Sequence, residues 1–384
     1  MRPATRVRVI QPPAAVAPAP PGANAPEIDG ESPDALASPD GQALVPGAAA
    51  SPEGAPSGSR VPAPPTSNLI ALILPLDEPA FQRAASAVRD GFFDAAAAAG
   101  RGGDCIVIGH ARDGVAAAFA QARAKGVRVA VGPLVRDDLK TLALANADLP
   151  WTLALNQLDD GTPLPAAIYT FPLTVESDGR TLARRALAAG AHSIDVIEGD
   201  SPLMKRLATS FAAEWTGKGG EAPAAIRFDP APDALTAMRR SLAKNVPDAV
   251  LLAVNGERAS LLKPFIGSID AYASGLAFER PTTAVARDLD GVRVVEIPWL
   301  LTPDAPEFAV YKRRDFDSDS LARLYALGLD AYRIAASFGN GPPNRFELEG
   351  ATGHVSLGPR HEFQRAGRIG VYRDGMLVPL ESAP

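Results

Sequence analysis

The sequence predicts a two-lobed α/β architecture of the doubly wound type. Three observations carry that expectation. From Asn68 onward, short runs rich in Ile, Val and Leu are apolar at nearly every position, as strands buried on both faces of a parallel sheet must be. Longer stretches of helical periodicity lie between them, so β and α units alternate and helices cover both sheet faces. The alternation also comes as two series, one ending near Pro172 and one beginning at about Ser177. Together they hold more strands than one modest sheet accommodates.

The segment ahead of this pattern reads differently. The chain's 37 prolines and 34 glycines are unevenly spread. Residues 1–68 are dominated by Ala, Pro, Gly and Ser, hold no Phe, Trp or Tyr, and show no periodicity of either kind. Such a stretch buries too little apolar area to offset its ordering entropy. It reads as a disordered, partly polyproline-II tether, whose root-mean-square span in the flexible-coil limit is roughly 45 Å.

In chain order the expected strands of the first series are 70–76 (IALILPL), 105–109, 127–131 and 151–155. Those of the second are 194–197, 226–228 and 249–254. A helix is expected over 81–92, with Phe81, Ala84, Val88 and Phe92 on one face, Asp77 or Glu78 as its cap and Pro79 in its first turn. The run LARLYALGLDAYRIA over 321–335 reads the same way, with Leu321, Leu324, Tyr325, Gly328 and Tyr332 facing the core. Near the C-terminus, GHVSL (353–357) and RIGVY (368–372) are expected to pair as a hairpin on one lobe, with a turn at Asp374 and Gly375.

Composition excludes several function classes. A net charge of -6 gives no phosphate-neutralising surface, so nucleic acid is not an expected partner. No run of roughly 18 or more apolar residues offers a transmembrane helix. The basic start MRPATRVRVIQPP lacks the apolar core of about 7–15 residues that an export signal carries behind it. The single cysteine, Cys105, permits neither an intrachain disulfide nor a cysteine metal cluster, and its apolar surroundings read as a buried free thiol.

Catalytic constellations are not legible either. The sequence holds no GxSxG elbow, no GxxxxGK loop and no HExxH helix. The glycines at 100, 102 and 103 precede a strand, whereas a dinucleotide fingerprint follows one. The chain therefore reads as a non-enzyme with no cofactor and no metal. Ligands of open α/β sheets sit beyond the carboxyl ends of the strands. That rule singles out Asp77, His110, Gly132 with Pro133, and Asn156 with Gln157 in the first lobe, and Gly199, Asp200, Ser201 and Asn255 in the second. Asp77, Asn156, Gln157, Asp200, Ser201 and Asn255 are the candidates for lining an interlobe cleft. Capping competes with ligation at several of them, because Asp77, Asp200 and Ser201 each stand just ahead of a helical run.

Six dispersed pieces together resemble the C-terminal domain of the penicillin-binding protein activator (LpoA-like, LppC lipoprotein) family. They are IALILPLDEPAFQRAASAVRDGF from Ile70, VAVGPLVRDDLKTLA from Val129, LPWTLALNQ from Leu149, DAVLLAVNGERASLLKP from Asp248, DLDGVRVVEIPWLL from Asp288 and RLYALGLDAYRIA from Arg323. Each alone is a generic βα signal; their order, and above all DLDGVR, PWLL and LYALGxDAYR in succession, is specific. The resemblance implies a type I periplasmic-binding-protein-like fold, with two Rossmann-like lobes and parallel sheets joined by three crossovers near Pro172, Arg287 and Pro342. Lobe 1 would then comprise about 69–172 and 287–342, and lobe 2 about 173–286 and 343–384. It also implies a periplasmic, outer-membrane-associated regulator that binds and stimulates a class A penicillin-binding protein in peptidoglycan synthesis. Where longer members carry a helical, tetratricopeptide-like domain, this sequence has its low-complexity segment, and the family's lipobox is not in it. The alternative expectation, from fold analogy, is a periplasmic receptor for an amino acid or similar small ligand bound in the cleft.

Overall fold

The computed structural model describes residues 68–145, 148–158, 162–278 and 281–380. The tether expected over residues 1–68 lies outside them except for Asn68.

The first lobe is built on five parallel strands. They are β1 (Ile70–Leu74), β2 (Cys105–Gly109), β3 (Val129–Val131), β4 (Trp151–Ala154) and β5 (Ile168–Thr170), in the order β2-β1-β3-β4-β5. Helices α1 (Gln82–Ala98), α2 (Val115–Ala124) and α3 (Arg136–Leu144) connect the first four. Side chains of a strand alternate between faces, and β1 shows why every one of its residues is apolar. Ile70, Leu72 and Leu74 enter the core under α1, while Ala71 and Ile73 enter the core on the opposite face.

The second lobe carries α4 (Val175–Ala188), β6 (Ile194–Glu198), α5 (Pro202–Gly217), β7 (Ala224–Arg227), α6 (Pro232–Lys244), β8 (Ala249–Ala253), α7 (Gly256–Ile266), β9 (Asp270–Ser274), α8 (Thr283–Asp288) and β10 (Val292–Glu296). The chain then returns to the first lobe for α9 (Pro298–Leu301), α10 (Asp319–Ala336) and a small antiparallel sheet of β11 (Glu347–Gly350), β12 (Gly353–Leu357) and β13 (Phe363–Ala366). It ends in the second lobe with β14 (Arg368–Arg373) and β15 (Met376–Pro379). The second sheet thus has seven strands in the order β15-β14-β10-β9-β8-β6-β7, parallel except for β14 and β15. Its β8 alternates as β1 does, with Val250 and Leu252 on one face and Ala249, Leu251 and Ala253 on the other.

Three crossovers join the lobes, as expected, but two lie elsewhere. The first falls at 171–174, near Pro172. The second is not at Arg287: β10 follows that residue and pairs with β9 and β14 in the second sheet, so the chain changes lobe at Ile297. The third is not at Pro342 but at Gly367. Residues after 342 stay with the first lobe because Val355 and Phe363 pack in its core and Thr170 N–H donates to the His361 carbonyl at 2.9 Å. The expected pairing of GHVSL with RIGVY is likewise replaced: β12 pairs with β11 and β13, whereas β14 pairs with β10 and with β15. The turn at Asp374 and Gly375 is present, both residues having positive φ (52° and 79°), the two-residue geometry that favours Asp-Gly between antiparallel strands.

Helices α1 and α10 lie against each other with little separation. A Cβ on Gly91 would stand 2.0 Å from the Tyr325 carbonyl oxygen, and one on Gly328 would stand 2.1 Å from that of Val88. The contact is reciprocal. Beside it, Tyr332 meets Phe92 edge-on at 5.4 Å, and Asp94 accepts from the Tyr325 hydroxyl at 2.8 Å.

Candidate functional site

The carboxyl ends of the two sheets place the sequence candidates in distinct local roles. Ser201 stands at the N-cap of α5, where its Oγ accepts from the Met204 N–H at 3.2 Å, with Pro202 in the first turn. Asn255 caps α7 in the same manner, its Oδ1 accepting from Arg258 N–H at 3.0 Å. Both side chains thus satisfy amides that a helix start leaves open. Asp200 faces solvent and pairs with exposed Arg227 at 3.1 Å.

In the first lobe, Asn156 braces the end of β4: its Nδ2 donates to the Leu134 carbonyl at 2.8 Å, and its Oδ1 accepts from Gln157 N–H at 2.9 Å. Asp77 is exposed and bridges adjacent strand ends through its backbone, donating to the His110 carbonyl at 3.2 Å. Neither Asp77 nor Glu78 caps α1. The helix starts later than expected, at Gln82, and Phe81 occupies the cap position without a side-chain hydrogen bond. Phe81 is half-exposed instead of core, and it lines a largely apolar cavity of about 330 Å³ with Leu134, Leu155, Asn156, Pro172 and Leu327. His110 is buried beside Asp138, Nε2 to Oδ2 3.9 Å, and burial raises the Asp138 carboxyl above its ordinary range.

Sequence reasoning missed the charged groups at the base between the lobes. Arg323 of α10 reaches Glu296 at the end of β10, with Nη2 to Oε2 at 2.5 Å and Nε to Oε1 at 3.1 Å. Its Nη2 also donates to the Gly275 carbonyl at 2.7 Å, and Glu296 Oε1 accepts from Ile297 N–H at 2.8 Å. Arg365 of β13 reaches Asp178 of α4 at 2.8 Å and donates to the Thr174 carbonyl at 3.2 Å, while Ser274 Oγ donates to the same carboxylate at 2.5 Å. All four charged side chains are at most 6% exposed, which makes paired partners obligatory. Burial pushes the Asp178 carboxyl up, and the Arg365 guanidinium and the Ser274 hydroxyl oppose the shift. An Arg inside an apolar helical run is the signal that could have exposed Arg323, since a long charged side chain on a core face needs a partner.

A family model described as LppC putative lipoprotein matches residues 64–375. The chain belongs to this family. Among LppC relatives, the penicillin-binding protein activator LpoA of Edwardsiella piscicida is 27% identical over 310 residues, 69% of this chain and 44% of that protein. The LpoA of Haemophilus influenzae is 25% identical over 323 residues, 81% of this chain and 55% of that protein. The chain thus spans about half the length of the curated relatives it matches. Among solved structures, the C-domain of Haemophilus influenzae LpoA, described as a regulator of PBP1A, superposes with a TM-score of 0.70 at 22% identity, covering 82% of this chain and 100% of that chain. A putative branched-chain amino acid ABC transporter from Chromobacterium violaceum superposes with a TM-score of 0.69 at 29% identity, covering 79% and 99%. The fold is periplasmic-binding-protein-like, as the LppC resemblance implied.

Proposed function

We propose that this chain is a non-catalytic regulator of peptidoglycan synthesis that binds and stimulates a class A penicillin-binding protein. The observation that carries the reading is membership of the LppC family over nearly the whole described region, among relatives named as penicillin-binding protein activators. The local chemistry agrees with it. Ser201, Asn255 and Asn156 spend their side chains on caps and braces. The site of action is the periplasm, at the outer membrane.

The test uses the full chain and a class A penicillin-binding protein from the same cell. Binding, with a rise in glycan-strand synthesis or crosslinking by the partner, is the expected result. No association at tens of micromolar, together with a calorimetric signal for an amino acid, would reverse the reading in favour of a receptor. A triple variant, Asn156→Ala with Asp200→Ala and Asn255→Ala, sharpens the choice. It leaves stimulation intact if contact is made by the surface, and a receptor would lose its ligand.

A further inference from the structure

Receptors built from two lobes on a crossover hinge work by rotating one lobe against the other around a ligand. Rotation of that kind is opposed by any directional bond that spans the two lobes away from the rotation axis. In this chain those bonds are made by the buried ion pairs. Thr174 ends the first crossover and Asp178 lies in the first turn of α4 after it, Glu296 and Ile297 form the second, and Arg365 precedes the third by two residues. Arg323 comes from α10, which the close packing against α1 fixes to the first lobe.

Each pair therefore has one member on either lobe. Arg323 belongs to the first and Glu296 to the second; Arg365 belongs to the first and Asp178 to the second. The bonds do not depend on one contact apiece. Arg323 holds both carboxylate oxygens and the Gly275 carbonyl, and Arg365 holds Asp178 together with the Thr174 carbonyl. A planar guanidinium bonded at several of its N–H groups is fixed in direction as well as distance. A rotation that moved these partners apart by a few ångströms would leave full charges unpaired where the side chains are at most 6% exposed.

We propose that Arg323–Glu296 and Arg365–Asp178 lock the two lobes into one fixed body, so that the domain presents a composite surface of constant shape and does not open or close on a small ligand. This deepens the regulator reading, on which it rests for its purpose: a partner recognised by surface contact gains from a scaffold that pays no ordering cost on binding. The geometry of the lock stands apart from the identity of the partner.

The experiment measures the interlobe distance directly. Gln121 on α2 and Arg240 on α6 are exposed and lie on different lobes, so Gln121→Cys and Arg240→Cys, introduced in the full chain on a Cys105→Ala background, take nitroxide labels. Double electron–electron resonance is expected to give one narrow distance, unchanged by saturating leucine, isoleucine, valine or benzoate. The double variant Glu296→Gln with Asp178→Asn is expected to broaden it. Two populations in the unsubstituted hinge, a shift on adding any of these solutes, or no broadening in the variant would each overturn the lock. If the double variant does not fold, Arg323→Lys with Arg365→Lys keeps the charges and removes the planar fork, and the same broadening is expected. Binding of a class A penicillin-binding protein, measured separately, tests the regulator reading; its failure beside a narrow distance would sink that reading and leave the lock standing.

Discussion

Ser201 and Asn255 sit where a ligand-binding protein of this architecture would place ligand contacts, and both are engaged by the first turn of their own helices. Losing such a cap costs about 1 kcal/mol. Ser201→Ala and Asn255→Ala are each expected to lower stability by about that amount in urea unfolding, and to leave partner binding unchanged. A variant that kept its stability but lost a bound solute would show the side chain to be a ligand. Cys105 offers a second residue-level test. Burial, reinforced by Asp104, pushes its thiol up to about 11 from an ordinary 9.0, so at neutral pH it is protonated and poorly nucleophilic. Ellman's reagent should react slowly with the native protein and promptly once it is unfolded. Because the folded state holds this proton more tightly than the unfolded one, the thiol's contribution to stability declines as pH rises above 9.0 and through 11. At this scale the sequence was legible for the buried thiol and for the capping choice at Ser201. It was not legible for Phe81, because a helical face read from periodicity does not reveal that the helix begins one residue later.

Elements were read best where periodicity was long. The run at 321–335 forms most of α10, with Tyr325, Gly328 and Tyr332 buried as its spacing required. Short or polar-interrupted strands escaped: β9 is DAYAS, β5 has three residues, and β10 is VRVVE, where Arg293 bonds Asp270 and Tyr272 of the neighbouring strand and Glu296 carries an interlobe pair. Strand partners were also beyond local pattern, since GHVSL and RIGVY read alike as half-buried strands yet belong to different sheets. The contact of α1 with α10 yields a prediction in which two effects compete. Gly328→Ala gains about 1 kcal/mol of helix propensity. It also drives a methyl to 2.1 Å from the Val88 carbonyl oxygen, and backbone does not give way as a flexible side chain does. Overpacking typically costs about 1–3 kcal/mol and more where backbones must part. The net expectation is destabilisation by about 2 kcal/mol, with Gly91→Ala behaving alike, read as a lowered midpoint in urea. A neutral or stabilising result for both would mean that the helices lie farther apart than their glycines indicate.

For the whole molecule, two lobes were foreseeable from the break between the two strand series, but the points of exchange between them were not. A crossover is marked by a change of partner, and partner choice is a long-range property: β10 follows Arg287 without pause, and only its pairing with β9 and β14 assigns it to the second lobe. The candidate site showed the same limit, because Arg323 and Glu296 are 27 residues apart and Arg365 and Asp178 are 187 apart. Those pairs bear on how the molecule unfolds. Lobes that meet only through flexible connections melt as separate units. Here the chain exchanges lobes three times, so neither lobe completes its core until residues from the far end of the sequence arrive, and the charged pairs lose their partners as soon as either lobe opens. Differential scanning calorimetry of the full chain is therefore expected to give one cooperative transition for residues 68–380, with calorimetric and van't Hoff enthalpies in agreement. Glu296→Gln with Asp178→Asn should lower its midpoint and broaden it toward two components. Two resolved transitions in the unsubstituted protein would show that the lobes are thermodynamically independent, and that the ion pairs at their base do not couple them.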